Sequence, residues 1–261
     1  MIQAKKSLGQ HFLHDASYAE RLAEAVTPGT RQLVEIGPGT GMLTQFLINR
    51  SELLLLIEKD HRLAALSAQK WAALSHVSVI EEDVLKFNFR KHLCAGQFTL
   101  VGNFPYNISS QIVFRVLELR DLVPEMIGMF QYEMAKRIVA GPGSKDYGVI
   151  SVLAALHYDS KLLFEVPPKA FMPPPKVNSA VIRLDRKQEE LFDFDERSFR
   201  IIVKAAFSQR RKMLRNTLKG LLPGAYLQEV FFEKRPEHVS LSDFKELTRR
   251  YEQERKNEPP S

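Results

Sequence analysis

A chain of 261 residues, 44% hydrophobic and 26% charged, can bury the core of one large domain plus a small appendage. Its net charge of +6 permits a polyanionic partner without requiring one. The single cysteine, Cys94, excludes an intramolecular disulfide and a cysteine-based metal cluster. No stretch nears the roughly 18 apolar residues of a membrane span, and the start of the chain lacks the apolar segment of a secretory signal. The expectation is a cytoplasmic protein with no membrane partner.

Residues 1–14 read as a basic extended arm. Asp15 is placed to cap a helix over about 16–26, with Tyr18, Leu22 and Val26 on one face, and Pro28-Gly29 ends it. Residues 32–36 read as a strand entering the turn Gly37-Pro38-Gly39-Thr40-Gly41, and 42–48 as helix. Further strands are expected at 53–57, 77–80, 98–101 and 126–130, with helical stretches running to about Leu74 and over 109–118. Strands at 162–166 and 180–184 complete seven. Between those two, five prolines stiffen the loop from Pro167 to Val177. The charged stretch 185–195 reads as a boundary, followed by helices at 196–219, 224–231 and 240–254 and a disordered end from Asn257. The expected division is 1–186, with the arm, and a small all-α domain over 187–261.

Strands alternating with helices imply right-handed crossovers and a mostly parallel sheet, whose ligands bind beyond the C-terminal strand ends. Four such ends carry polar groups or glycines. The glycine turn lets backbone approach a ligand at a helix N-terminus, although by itself it is equally a tight structural connection. Its spacing is G-x-G-x-G rather than the dinucleotide G-x-G-x-x-G, which disfavours an oxidoreductase. Glu58, 21 residues after Gly37, suits the hydroxyls of a ribose. Asp83 suits an exocyclic amine. Asn103-Phe104-Pro105-Tyr106 presents an amide, a backbone carbonyl turned out by a proline and an aromatic face. Together these suit a planar ring bearing an amine.

With these residues in view, the chain resembles the class I S-adenosylmethionine-dependent methyltransferases, and among them the rRNA adenine N6-dimethyltransferases. The similarity is carried by KKSLGQHFL at 5–13, EIGPGTG at 35–41, GNFPYNIS at 102–109, AGPGSKDYGVISV at 140–152, AFMPPPKVNSAVIRL at 170–184 and AFSQRRKMLRNTLK at 206–219. It implies a Rossmann-like, mostly parallel seven-stranded sheet followed by the small helical domain. It implies S-adenosylmethionine as co-substrate, with Gly37 and Gly39 in the cofactor loop, Glu58 at the ribose, Asp83 and Val84 at the adenine, and Asn103 between cofactor and target base. The family's Gln-Asn-Phe-Leu segment closes over the methionine part; here it reads Gln10-His11-Phe12-Leu13, so His11 and Leu13 are carried over with His11 departing from Asn. The similar branch dimethylates two adjacent adenines near the 3′ end of 16S rRNA in the 30S subunit.

The chemistry expected is Asn103 Oδ1 and the Phe104 carbonyl accepting the two N6 hydrogens, with Tyr106 and Phe171 stacking on the two faces of the base. It calls for no metal. Lys204, Arg210, Arg211, Lys212, Arg215 and Lys219 fall within 16 residues that contain no acid. On a continuous helix all but Arg210 share an arc of about 100°, which is either a solvated cationic face or a phosphate-contacting one. A monomer is expected. The competing functions are adenine methylation of 23S rRNA and a non-catalytic assembly factor that binds rRNA.

Overall fold

The computed structural model describes residues 4–5, 8–93, 96–188 and 192–257. Cys94, Lys6-Ser7 of the arm, part of the charged boundary and the last four residues lie outside them. The chain divides into two compact units, 1–136 with 159–186, and 137–158 with 187–261. This differs from the expected division in placing 137–158 with the helical unit.

In chain order the elements are β1 (Phe12–Leu13), α1 (Ala16–Glu24), β2 (Gln32–Ile36), α2 (Thr44–Leu47), β3 (Leu53–Glu58), α3 (His61–Lys70), β4 (Val77–Glu81), α4 (Phe89–His92), β5 (Thr99–Asn103), α5 (Ser109–Glu118), β6 (Glu125–Gln131), α6 (Tyr132–Val139), α7 (Val149–His157), β7 (Tyr158–Val166), β8 (Phe171–Met172) and β9 (Ser179–Arg186), followed by α8 (Glu196–Phe207), α9 (Leu214–Thr217) and α10 (Leu241–Asn257). The expected strands all form. The short β1, β8, α4 and the helices α6 and α7 have no counterpart in the sequence reading.

The seven-stranded sheet runs β4-β3-β2-β5-β6-β9-β7. β4, β3, β2, β5 and β6 are mutually parallel, and β9 is antiparallel to β6. Strands β2, β5 and β6 are almost wholly buried, which is why their sequences run apolar without alternation. From β2 the chain steps outward through β3 to β4, then crosses back to β5. The order therefore reverses between β2 and β5, where a parallel sheet opens a crevice at its C-terminal edge. β1 and β8 form a separate antiparallel pair, Phe12 opposite Met172 and Leu13 opposite Phe171.

In the helical unit, Asp195 caps α8 by accepting from the Arg197 N–H at 3.0 Å. The continuous helix expected over 196–219 is interrupted. α8 ends at Phe207, and both the N–H and the hydroxyl of Ser208 bond to the Ala205 carbonyl, at 3.1 and 2.7 Å. A serine that engages nearby backbone in this way competes with helix propagation. Turns follow until α9. The helix expected at 224–231 is instead two short 3-10 turns, Tyr226–Gln228 and Val230–Glu233, after the breakers Pro223-Gly224.

Candidate active site

A cavity of about 350 Å³ opens at the C-terminal edge of the parallel strands, over the crevice between β2 and β5. Its lining includes the glycine turn after β2, Glu58 at the end of β3, Asp83 and Val84 after β4, and Asn103 to Tyr106 after β5. The expected convergence of four strand ends is thus one site.

The Asn103-Phe104-Pro105-Tyr106 turn is fixed from below. The Phe104 ring is 1% exposed and meets Phe130 edge to face at 5.1 Å. It fits because its strand neighbours are glycines. A Cβ on Gly102 would stand 2.8 Å from Phe104 Cε1, and one on Gly128 would stand 2.8 Å from Phe104 Cδ2 and 2.7 Å from Phe130 Cε2. With the ring sunk into the core and its N–H given to the Met129 carbonyl at 3.2 Å, Phe104 keeps a carbonyl oxygen that has no hydrogen-bond partner among the described residues. Asn103 Nδ2 donates to the His11 carbonyl at 3.1 Å, so Oδ1 is the amide atom left to accept. Tyr106 is anchored by its hydroxyl, 2.6 Å from Ser179 Oγ, and burial pushes its phenol above the usual range.

On the other side of the cavity, Glu58 accepts from the Gly39 N–H at 3.3 Å and the Asp60 N–H at 2.9 Å. Burial raises its carboxyl above the ordinary value. Asp83 accepts from Lys59 Nζ at 2.7 Å and the Leu85 N–H at 3.0 Å, and the Lys59 ammonium holds it below the usual range. Each carboxylate keeps further lone pairs for a ligand. Gly37, Gly39 and Gly41 have φ of 66°, 57° and 81°, the left-handed region that favours glycine. A Cβ on Gly37 would meet nothing within 4 Å, while one on Gly39 would stand 3.2 Å from Phe12. Glu35, just before this turn, is 1% exposed; burial pushes its carboxyl up to about 8 although Thr44 Oγ1 donates to it at 2.8 Å.

The arm lines the same cavity from Leu8 to Leu13. Besides its carbonyl contact with Asn103, His11 lies 2.8 Å from the Pro173 carbonyl through Nδ1. That oxygen only accepts, so Nδ1 carries the proton. The His11 ring stacks on Tyr106 with centroids 5.4 Å apart. Leu13 lines the cavity and enters the core opposite Phe171.

Phe171 does not stand where the sequence reading put it. It is 1% exposed, packs in the core with Leu13, Ala170 and Val181, and does not line the cavity. Successive residues of a strand point to opposite faces, and it is Met172, 61% exposed, that faces out. Phe171 supports the arm from below and offers no open face to a base here.

The basic residues lie in the helical unit, on several elements. Lys204 is on α8, Arg210, Arg211 and Lys212 are in the turn that follows, and Arg215 is on α9. Their single arc is lost with the helix break. All but Arg215 are exposed. Arg215 is paired with Glu233 at 2.7 Å, and Arg210 Nη2 reaches the Ser144 carbonyl at 3.4 Å.

Comparison with known proteins settles the class. Residues 1–249 match the family described as ribosomal RNA adenine dimethylase. The chain belongs to the ribosomal RNA adenine dimethylase family. As such it is an S-adenosylmethionine-dependent methyltransferase. It is 45% identical over 253 residues to ribosomal RNA small subunit methyltransferase A of Flavobacterium johnsoniae, covering 96% of this chain and 97% of that one. It is 46% identical to the protein of the same name from Parabacteroides distasonis, covering 95% and 94%. Among solved structures, a dimethyladenosine transferase from Plasmodium falciparum shares the fold at TM-score 0.81, with 24% identity and 95% and 98% coverage. The 23S rRNA methyltransferase ErmE superposes at TM-score 0.70, with 26% identity and 90% and 98% coverage. The cavity suits what an adenine dimethylase must hold. Open space faces Gly37, a buried carboxylate and a half-buried one stand at the ends of β3 and β4, and two unspent acceptors sit at the end of β5.

The residues that sequence reasoning missed are Glu35 and Asp60. Asp60 stands at the N-cap of α3, and an aspartate just before a helical stretch was the available signal. Glu35 precedes the glycine turn and gave no sign of its burial.

Proposed function

We propose that this enzyme transfers methyl groups from S-adenosylmethionine to N6 of two adjacent adenines near the 3′ end of 16S rRNA, acting as a monomer on the 30S subunit. The observation that carries the reading is the paired acceptors, Asn103 Oδ1 and the Phe104 carbonyl, standing unspent at the rim of a cavity whose far wall holds Glu58 and Asp83.

Adenine N6 is a weak nucleophile because its lone pair is delocalised into the ring. Two acceptors engaging both N6 hydrogens favour a pyramidal nitrogen with a localised lone pair. Asn103 is therefore an oriented acceptor and not a base. Its amide is held in register by the His11 carbonyl before substrate arrives, so little reorganisation is needed at reaction. Tyr106 offers a face to the base, a contact of about 1–3 kcal/mol. Glu58 takes the ribose of the cofactor, and Asp83 and Val84 take its adenine. Gly37, Gly39, His11 and Leu13 shape the remainder of that site. S-adenosylmethionine, when bound, supplies a methyl sulfonium that needs no further activation. The target base must leave its stack to reach such a cavity.

Exposed Lys204, Arg210, Arg211 and Lys212 support an RNA-contacting role for the helical unit, with Arg215 contributing through its pair with Glu233.

The test is radiolabelled S-adenosylmethionine offered with 30S particles, naked 16S rRNA and 23S rRNA. Label recovered as two adjacent dimethyladenosines in 30S is the expected result. Label in 23S rRNA alone, or none, would overturn it.

A further inference from the structure

Asp60 lies two residues past the end of β3 and has no part in the chemistry above. It is 2% exposed and sits at the N-cap of α3, accepting from the Arg62 N–H at 3.2 Å. Its remaining capacity goes to side chains. Arg62 Nη2 donates at 2.7 Å, Lys5 Nζ at 3.2 Å and Gln10 Nε2 at 3.2 Å. Lys5 and Gln10 belong to the arm and are joined to each other, the Lys5 N–H donating to Gln10 Oε1 at 2.8 Å. The hydrogen bonds of Arg62 above all, then those of Gln10 and Lys5, hold the Asp60 carboxyl well below the usual range.

The arm has further seats along the cavity. At Gly9, whose φ is 64°, a Cβ would stand 2.9 Å from Asn107 Oδ1. His11 is held by Asn103 and Pro173, and Phe12 lies over Gly39. In the sheet, β3, β2 and β5 are neighbours. The arm is thus fastened at the end of β3 by Asp60, lies on the glycine turn after β2 and is fastened again after β5. A ligand in the cavity lies beneath it. The Asp60 N–H, meanwhile, donates to Glu58, the proposed ribose acceptor. One residue bonds both the roof and the wall of the cofactor site.

We infer that Asp60 is a positioning residue that straps the arm over the cofactor cavity, through Lys5 and Gln10, and sets the rate at which the nucleoside ligand leaves. The inference rests on the reading of this cavity as the S-adenosylmethionine site, and it adds the device that closes it.

The experiment uses the full chain and S-adenosylhomocysteine as probe, with affinity from calorimetry and dissociation from stopped-flow. Asp60→Asn keeps an acceptor for the helix cap and loses the charge. The double variant Lys5→Ala, Gln10→Ala leaves Asp60 and the cap intact. Each is expected to speed dissociation about tenfold, with Tm nearly unchanged for the arm variant. Combining them should add little to the larger of the two single effects on dissociation, because both cut the same link. A merely structural Asp60 would lower Tm and leave the arm variant's dissociation at the wild-type rate. That outcome, or effects that multiply in the combined protein, would overturn the inference. Failure of the wild-type protein to bind the probe would overturn the cofactor reading itself.

Discussion

Asn103 Nδ2 donates to the backbone carbonyl of His11 at 3.1 Å, joining the end of β5 to the arm. An amide flipped about its last torsion would set oxygen against oxygen. The bond therefore chooses which amide atom meets the substrate. Asn103→Ala should keep the fold and most cofactor affinity and lose methyl transfer about a hundredfold or more. Asn103→Asp, which can accept but cannot donate to His11, should be similarly impaired. Single-turnover transfer to 30S particles, alongside calorimetric cofactor binding, checks both; near-normal turnover in the Ala variant would refute the oriented-acceptor role.

Gly128→Ala tests the packing under the same turn. The added methyl collides with the rings of both Phe104 and Phe130, neither of which can leave the core cheaply. Overpacking of this kind costs about 1–3 kcal/mol, more where neighbours are rigid. A Tm lowered by several degrees is expected, with transfer falling further than stability because the Phe104 carbonyl shifts. Gly141→Ala, where a Cβ meets nothing within 4 Å, is the control and should be neutral.

Glu35 gives the protein a pH signature. Burial raises its folded-state carboxyl to about 8 from the ordinary 4.5. Between those values the folded protein keeps a proton that the unfolded chain has released. Stability attributable to this group is therefore complete below about 4.5 and falls as pH rises toward 8, by up to about 1.4 kcal/mol per unit. Glu35→Gln, which still accepts from Thr44, should flatten that decline. Tm measured against pH for the two proteins decides it; parallel curves would mean that Glu35 does not carry the proton.

Arg211→Glu with Lys212→Glu should weaken RNA binding and lower the slope of log affinity against log salt by about one per lost phosphate contact. Arg215→Glu should differ in kind. It breaks the pair with Glu233, so part of its effect should appear as lost stability. Filter binding at several salt concentrations and thermal melts separate the two, and an unchanged RNA affinity in the first variant would return those cations to a solvated face.

The strands, the glycine turn and the acids at the strand ends were legible in the chain because each rests on local pattern. Buried parallel strands read as apolar runs, and the residues just past them fall at the ligand edge of any such sheet. The break in the basic helix was marked by Ser208, yet helical spacing alone could not say that its side chain would turn on the Ala205 carbonyl. Phe171 was misplaced for a related reason. Proline-rich sequence shows that a loop is stiff, while the choice of Phe171 inward and Met172 outward came from pairing with the distant Phe12 and Leu13 of the arm, Leu13 with Phe171 being the inward pair.

By itself, then, the sequence determined the alternating architecture, the family and the residues that meet at the cavity, because hydrophobic period and turn chemistry act between near neighbours. Only the tertiary structure decided which atom of Asn103 faces the substrate, that Phe104 sinks its ring beneath two glycines, and that Asp60 reaches across 55 residues to Lys5. Those are bonds and contacts between segments far apart in the chain, and their partners exist only once the sheet has brought the strand ends together.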